Sequence, residues 1–146
     1  MNYDRIIELI SQNQEIVDFG EFGNGVSAEW IEKAEKRLGL KFPPSYIWWL
    51  KHYSGGEVNG EEIFSIYELD FDSVIGGDVV YINKLNRANG SSDHSMVVIQ
   101  ETDFGETYFF YLPEIDDKGE TPVFLNTIEN KYADNFVDFL IRKITE

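Results

Sequence analysis

The sequence predicts an α+β domain, a mainly antiparallel sheet flanked by helices, and three observations carry that reading. Both ends of the 146-residue chain place apolar residues at helical spacing. The middle reads as short strands bounded by turns. No repeat, low-complexity tract or Pro/Gly/Ser linker separates these regions, so one domain over 1–146 is expected.

The first helix is expected over Tyr3–Gln12, where Tyr3, Ile6, Ile7 and Ile10 share a face. A glycine-rich loop (Gly20, Gly23, Gly25) follows. Ser27 is placed to cap a second helix, with Glu29 in its first turn where a negative charge meets the helix dipole. Trp30, Ile31, Ala34 and Leu38 form its apolar stripe, and Gly39 is its natural left-handed terminator.

Pro43 blocks continuation, while Pro44 suits the first turn of a third helix over Pro44–Tyr53. That helix puts Tyr46, Trp49, Leu50 and Tyr53 on one side, and Gly55-Gly56 ends it. Trp48 falls on the other side with Lys51 and His52, either packed under the first helix or open to a partner.

Val58-Asn59-Gly60-Glu61 is a hairpin turn between short strands, the second over Ile63–Tyr67. Asp78–Ala88 reads as a helix, with strand as the alternative because of Val79, Val80 and Ile82. Met96–Gln100 and Thr107–Leu112 read as strands joined across Thr102–Glu106. A strand at Pro122–Leu125 precedes a last helix over Asn135–Ile144, whose Phe136, Val137, Leu140 and Ile144 face the core.

With 42% hydrophobic and 15% aromatic residues the chain has ample material for a core. It has no cysteine, hence no disulfide, no thiolate nucleophile and no cysteine-ligated zinc. The amino terminus carries no secretory pattern, and no apolar run is long enough to span a bilayer, which points to a cytoplasmic protein.

Net charge is −15, and its placement is uneven. Residues 52–130 hold 16 acids against three bases, Lys84, Arg87 and Lys118. Such a field repels nucleic acid and anionic lipid and favours basic partners. Within it, Glu57, Glu61 and Glu62 are the first candidates for a partner-facing patch, because they sit on turns and strand ends. Asp70, Asp72, Asp103 and Glu106 come next, and Trp48 is the aromatic alternative.

Catalytic patterns are weak. The two histidines are isolated, His52 on a polar helix side and His94 in a serine-rich loop, so neither suggests a triad. Asp70-Phe71-Asp72-Ser73 begins like a calcium loop but has Ile75 where the turn glycine belongs and Tyr81 where the bidentate glutamate belongs. Gly55–Gly60 lacks the lysine and following helix of a phosphate cradle. An acidic-site hydrolase using Asp70, Asp72 or Glu106 is the enzyme alternative; no metal or cofactor is expected.

One stretch is more specific. Ser27-Ala28-Glu29-Trp30-Ile31, Glu35, Leu38-Gly39-Leu40, Phe42-Pro43, Tyr46, Leu50 and Tyr53-Ser54-Gly55-Gly56 resemble the signature of the SUKH superfamily, with Phe42 for the usual leucine and Ser54 for the usual asparagine. That group includes yeast cell-wall-assembly regulators of the Smi/Knr type and many bacterial immunity proteins. The resemblance is best over residues 27–56. It implies a Smi/Knr-like α+β fold, no enzymatic activity, and a protein partner. In the bacterial branch that partner is a cognate toxin, often a nuclease, whose basic cleft an acidic surface can occupy; a regulatory or scaffold domain is the other outcome.

Overall fold

A computed structural model describes the whole chain, Met1–Glu146. Five helices and seven strands follow in the order α1 (Asp4–Gln12), β1 (Val17–Phe19), α2 (Ala28–Leu38), α3 (Pro44–Tyr53), β2 (Gly56–Val58), β3 (Glu61–Ile63), α4 (Val79–Ala88), β4 (Met96–Glu101), β5 (Thr107–Tyr111), β6 (Val123–Leu125), β7 (Asn130–Ala133) and α5 (Phe136–Thr145). The α+β class is as the sequence predicts.

The helix ends follow local chemistry. Ser27 Oγ accepts the Trp30 amide at 3.3 Å, and Gly39, at φ 72°, donates to the Glu35 carbonyl. Glu35 is buried, and its carboxylate accepts the Phe42 amide at 2.8 Å, tying the turn after α2 to the helix. At α3 the proline start leaves no local side-chain cap. The distant Glu120 supplies one, accepting the Ser45 amide (2.8 Å) and hydroxyl (2.6 Å) in a buried site. The left-handed residue ending α3 is Ser54 (φ 60°), one position before the expected Gly55.

Two antiparallel sheets are present where the sequence suggests one: β1-β2-β3 and β4-β5-β6-β7. The Asn59-Gly60 hairpin is as expected, both residues having positive φ. The strand expected at Ile63–Tyr67 ends at Ile63. Beyond it, the Phe64 amide crosses to the Ile99 carbonyl (2.7 Å), joining the two sheets, and the Ser65 amide turns to Gly77. β1 and β7 were not predicted. Asp78–Ala88 is helical, its capping residue Asp78 accepting the Val80 and Tyr81 amides.

Tyr46 lies at the centre of the core, fully buried, its ring edge-on to Phe42, Phe110 and Phe136 at 5.1–5.4 Å. Its hydroxyl donates to the Phe64 carbonyl at 2.7 Å, so the core also fixes the chain leaving β3. Burial pushes that hydroxyl's pKa well up, as a group with no route to water requires. Ala34, Leu38, Leu50 and Phe136 join this core, whereas Trp30 is only half-buried at its margin.

Leu50 has no exposed surface. Leu50→Ala should therefore cost about 2–5 kcal/mol by opening a cavity, read as a shift in chemical denaturation. A loss below about 0.5 kcal/mol would mean that this face of α3 does not pack on the core.

Candidate functional site

Pairing in the three-stranded sheet sets three carboxylates side by side. Asp18 of β1 is directly opposite Glu57 of β2, and Glu57 is directly opposite Glu62 of β3. Directly opposed residues share a face, so the three form one row across the sheet. The other face carries Val17, Val58 and Ile63, all buried in the core. None of the three acids takes part in an ion pair.

Asp18 and Glu62, the outer members of the row, line a groove of about 530 Å³ between the sheet and the segment 65–69. Its floor is the backbone of Ser54-Gly55-Gly56. Gly56 has φ 141°, and a Cβ there would overlap the Asp18 carbonyl; at Gly55 (φ 117°) it would overlap the Ser65 side chain. Backbone without side chains is what lets β1 and β2 approach and leaves the groove open.

Glu62 is held from behind. The Tyr67 hydroxyl donates to its carboxylate at 2.5 Å, and the Gly77 amide donates to that hydroxyl at 2.8 Å. The Tyr67 amide donates to Asp78 Oδ2 (3.0 Å), anchoring the latch in a fully buried carboxylate. Burial, and then the hydrogen bond and charge of Glu62, push the Tyr67 hydroxyl up to about 12.

The other expected residues are placed differently. Glu61 does not join Glu57 and Glu62. It pairs with the core-facing Val58, so strand alternation sends it to the opposite face, where its Oε2 is buried without a partner. There it approaches Tyr108, whose hydroxyl is pushed up to about 12 by burial and then by Glu106, Glu146 and Glu61. Glu106 lies in the β4–β5 turn, accepting from Thr102 Oγ1 at 3.1 Å, with Asp103 beside it and the exposed Phe104 at the tip.

Asp72 is bound to Arg37 at 2.8 Å, a contact that lowers its pKa, and Asp70 accepts the Asp72 amide. Both lie past the groove. Trp48 is half-buried, stacked flat on Tyr3 (4.2 Å, 5°) with His52 also against it (5.1 Å), as packing beside the first helix predicts. His94 is exposed. No three histidine, aspartate or glutamate side chains are grouped so that they could hold a metal ion.

The motif positions Glu35, Leu38, Gly39, Pro43, Tyr46, Leu50, Gly55 and Gly56 thus occupy cap, turn, core and groove floor. A family model described as SMI1-KNR4 cell-wall (SUKH_6) matches residues 28–140, most of the chain. The chain belongs to the SUKH superfamily. The match extends the resemblance seen at 27–56 through α4, the four-stranded sheet and into α5. In this SUKH chain the Ser54-Gly55-Gly56 step both ends α3 and floors the acidic groove. No helix is long and apolar enough to cross a membrane.

Two outcomes test this geometry. Gly56→Ala should destabilise the fold by about 1–3 kcal/mol, because it combines an unfavourable φ with backbone overlap; wild-type stability in denaturant would contradict the β1–β2 register. The Tyr67–Glu62 contact should strengthen the fold fully below the ordinary tyrosine value of 10.0 and lose that effect as pH rises through about 12, since the folded value is the raised one. Glu62→Gln should accordingly move one phenol to lower pH in a spectrophotometric titration, and an unchanged curve would mean that the latch is absent.

Proposed function

We propose that this SUKH chain acts as an immunity protein, binding and neutralising a cognate bacterial toxin with a basic, nuclease-like surface, and that it does so without catalysis. Family membership supports an immunity or cell-wall-regulator type of domain acting through protein–protein interaction. The observation that carries the finer reading is the row Asp18–Glu57–Glu62, unpaired with any base, whose outer members Asp18 and Glu62 line a groove with Gly55 and Gly56.

The physical logic is substrate mimicry. A nuclease presents cations to a polyanionic backbone. Carboxylates spaced along a rigid strand ladder offer a fixed array of negative charge to the same cations. Like charges placed directly opposite one another oppose sheet formation, so the row costs stability that a basic partner would return on binding. The net charge of −15 accelerates encounter, which matters when free toxin is lethal. The surface is the one expected of a cytoplasmic inhibitor.

A regulatory reading has one observation behind it, the SMI1-KNR4 cell-wall description of the matching family. It uses the same groove with a host protein as partner.

The test is binding to the product of the adjacent gene. Wild type should form a complex whose association rate falls steeply with salt. Asp18→Asn combined with Glu57→Gln and Glu62→Gln should slow association by about tenfold or more at low salt and flatten the salt dependence, with folding retained. Glu61→Gln, on the other face, should leave the rate near wild type. Equal rates and equal salt slopes for the triple variant would remove this row from the interface.

A further inference from the structure

One groove of the acidic molecule brings three cations against two aromatic rings. On the outer side of α2, Trp30, Lys33, Lys36 and Arg37 line a depression of about 610 Å³ that Asp70 and Phe71 close from the loop after β3. Three of the chain's twelve bases meet here with a single lining acid. The helix places them so: residues 30, 33 and 37 fall on one stripe, and 36 lies beside it.

The aromatic part has a defined shape. Trp30 and Phe71 stand at 89° with centroids 5.5 Å apart, forming a corner. Lys33 lies 4.7 Å from the Trp30 ring centre and Arg37 5.6 Å from that of Phe71. The cations therefore lie over the faces of these rings, and a planar ring that enters the corner displaces them toward its own charged end.

The present partners of these cations are weak competitors. Lys33 contacts Glu29 (3.2 Å) and Arg37 contacts Asp72 (2.8 Å), with the two acids 76% and 73% exposed. Exposed pairs of this kind contribute about 0–1 kcal/mol, so a ligand anion replaces them at small cost. Lys36 has no ion pair. The guanidinium of Arg37 offers a planar fork suited to phosphate oxygens. Acids more than about 8 Å away are screened at physiological salt, so the charges that matter are the three cations and the adjacent Glu29, Asp70 and Asp72, which a ligand's phosphates replace as their partners.

We propose that the Trp30/Lys33/Lys36/Arg37/Phe71 groove binds a small ligand that joins a planar aromatic group to phosphates, of the nucleoside polyphosphate class. The ring packs into the Trp30–Phe71 corner, and the phosphates lie along Lys33, Lys36 and Arg37. The groove's size suits a ligand of that class, since small-molecule sites span about 300–1,000 Å³. This inference does not depend on the immunity reading, because the acidic row lies in a different groove.

The test is an NMR titration of the full chain with magnesium-free ATP at about physiological salt, with adenosine and tripolyphosphate as separate arms. ATP should shift the Trp30 indole N–H saturably and leave that of the fully buried Trp49 in place. Adenosine and tripolyphosphate should each bind about tenfold more weakly than ATP, since each supplies half of the recognition. Lys36→Glu with Arg37→Glu should weaken ATP binding by about tenfold or more, with the fold checked by circular dichroism, and Asp70→Asn should tighten it. Absence of saturation at millimolar ATP would overturn the proposal. So would tripolyphosphate binding as tightly as ATP, or a single-stranded oligonucleotide displacing ATP from the site.

Discussion

Asp78 is the residue on which the arrangement of the acidic groove depends. It has no exposed surface and forms no ion pair, yet its carboxylate is satisfied by three backbone amides, those of Val80, Tyr81 and Tyr67. Two belong to the first turn of α4, where the helix dipole also favours negative charge. The third belongs to the segment that rims the groove. One buried carboxylate thus fastens a loop to a helix, and a charge left without those amides would be costly to keep in the interior.

The connection continues in both directions. Toward the core, Asn83 on the next turn of α4 accepts from the Val98 amide (2.7 Å) and donates to its carbonyl (2.9 Å), pairing with β4 much as a neighbouring strand would. Phe64 pairs with Ile99 one residue on, so the outer edge of the four-stranded sheet is covered. Toward the surface, Tyr67 carries the restraint to Glu62. The path from β4 through Asn83, α4, Asp78 and Tyr67 to Glu62 is made of directional bonds between buried or half-buried groups. A carboxylate held this way has little side-chain freedom left to lose on meeting a partner.

How far the sequence could be read follows from element length and from how local each signal is. The five helices were legible because an apolar stripe, a capping residue or a proline start repeats over at least nine residues. β1 and β7 were not, since three or four residues give little alternation and neither has the adjacent Asn-Gly turn or proline that marks the equally short β2, β3 and β6. Missing β1 hid Asp18, and without a third strand the carboxylate row had no visible third member. The error over Glu61 has the same root. Adjacent strand residues face opposite ways, so three nearby acids cannot form one patch, but which two stay together depends on a register that only the paired hairpin defines. Glu120 capping α3 from 75 residues away had no local signal at all.

The matched motif and the acids proposed to face a partner occupy different layers of the same place. Glu35, Leu38, Gly39, Pro43, Tyr46 and Leu50 build a helix turn and a core. Gly55 and Gly56 also line the groove, and a side chain there would collide with Ser65 and with the backbone of β1. The acids lining the groove, Asp18, Glu62 and Glu68, and Glu57 between the first two on the sheet, lie outside the motif, on strands and a loop. The requirements of the motif in this chain are steric, whereas those of the proposed recognition are electrostatic. In this chain the glycines let the strands and the 65–69 segment close up, and the acids beside them set the sign of the local charge. Here the strand ladder aligns three acids without a compensating base, and the proposed immunity function rests on that array meeting a cationic surface.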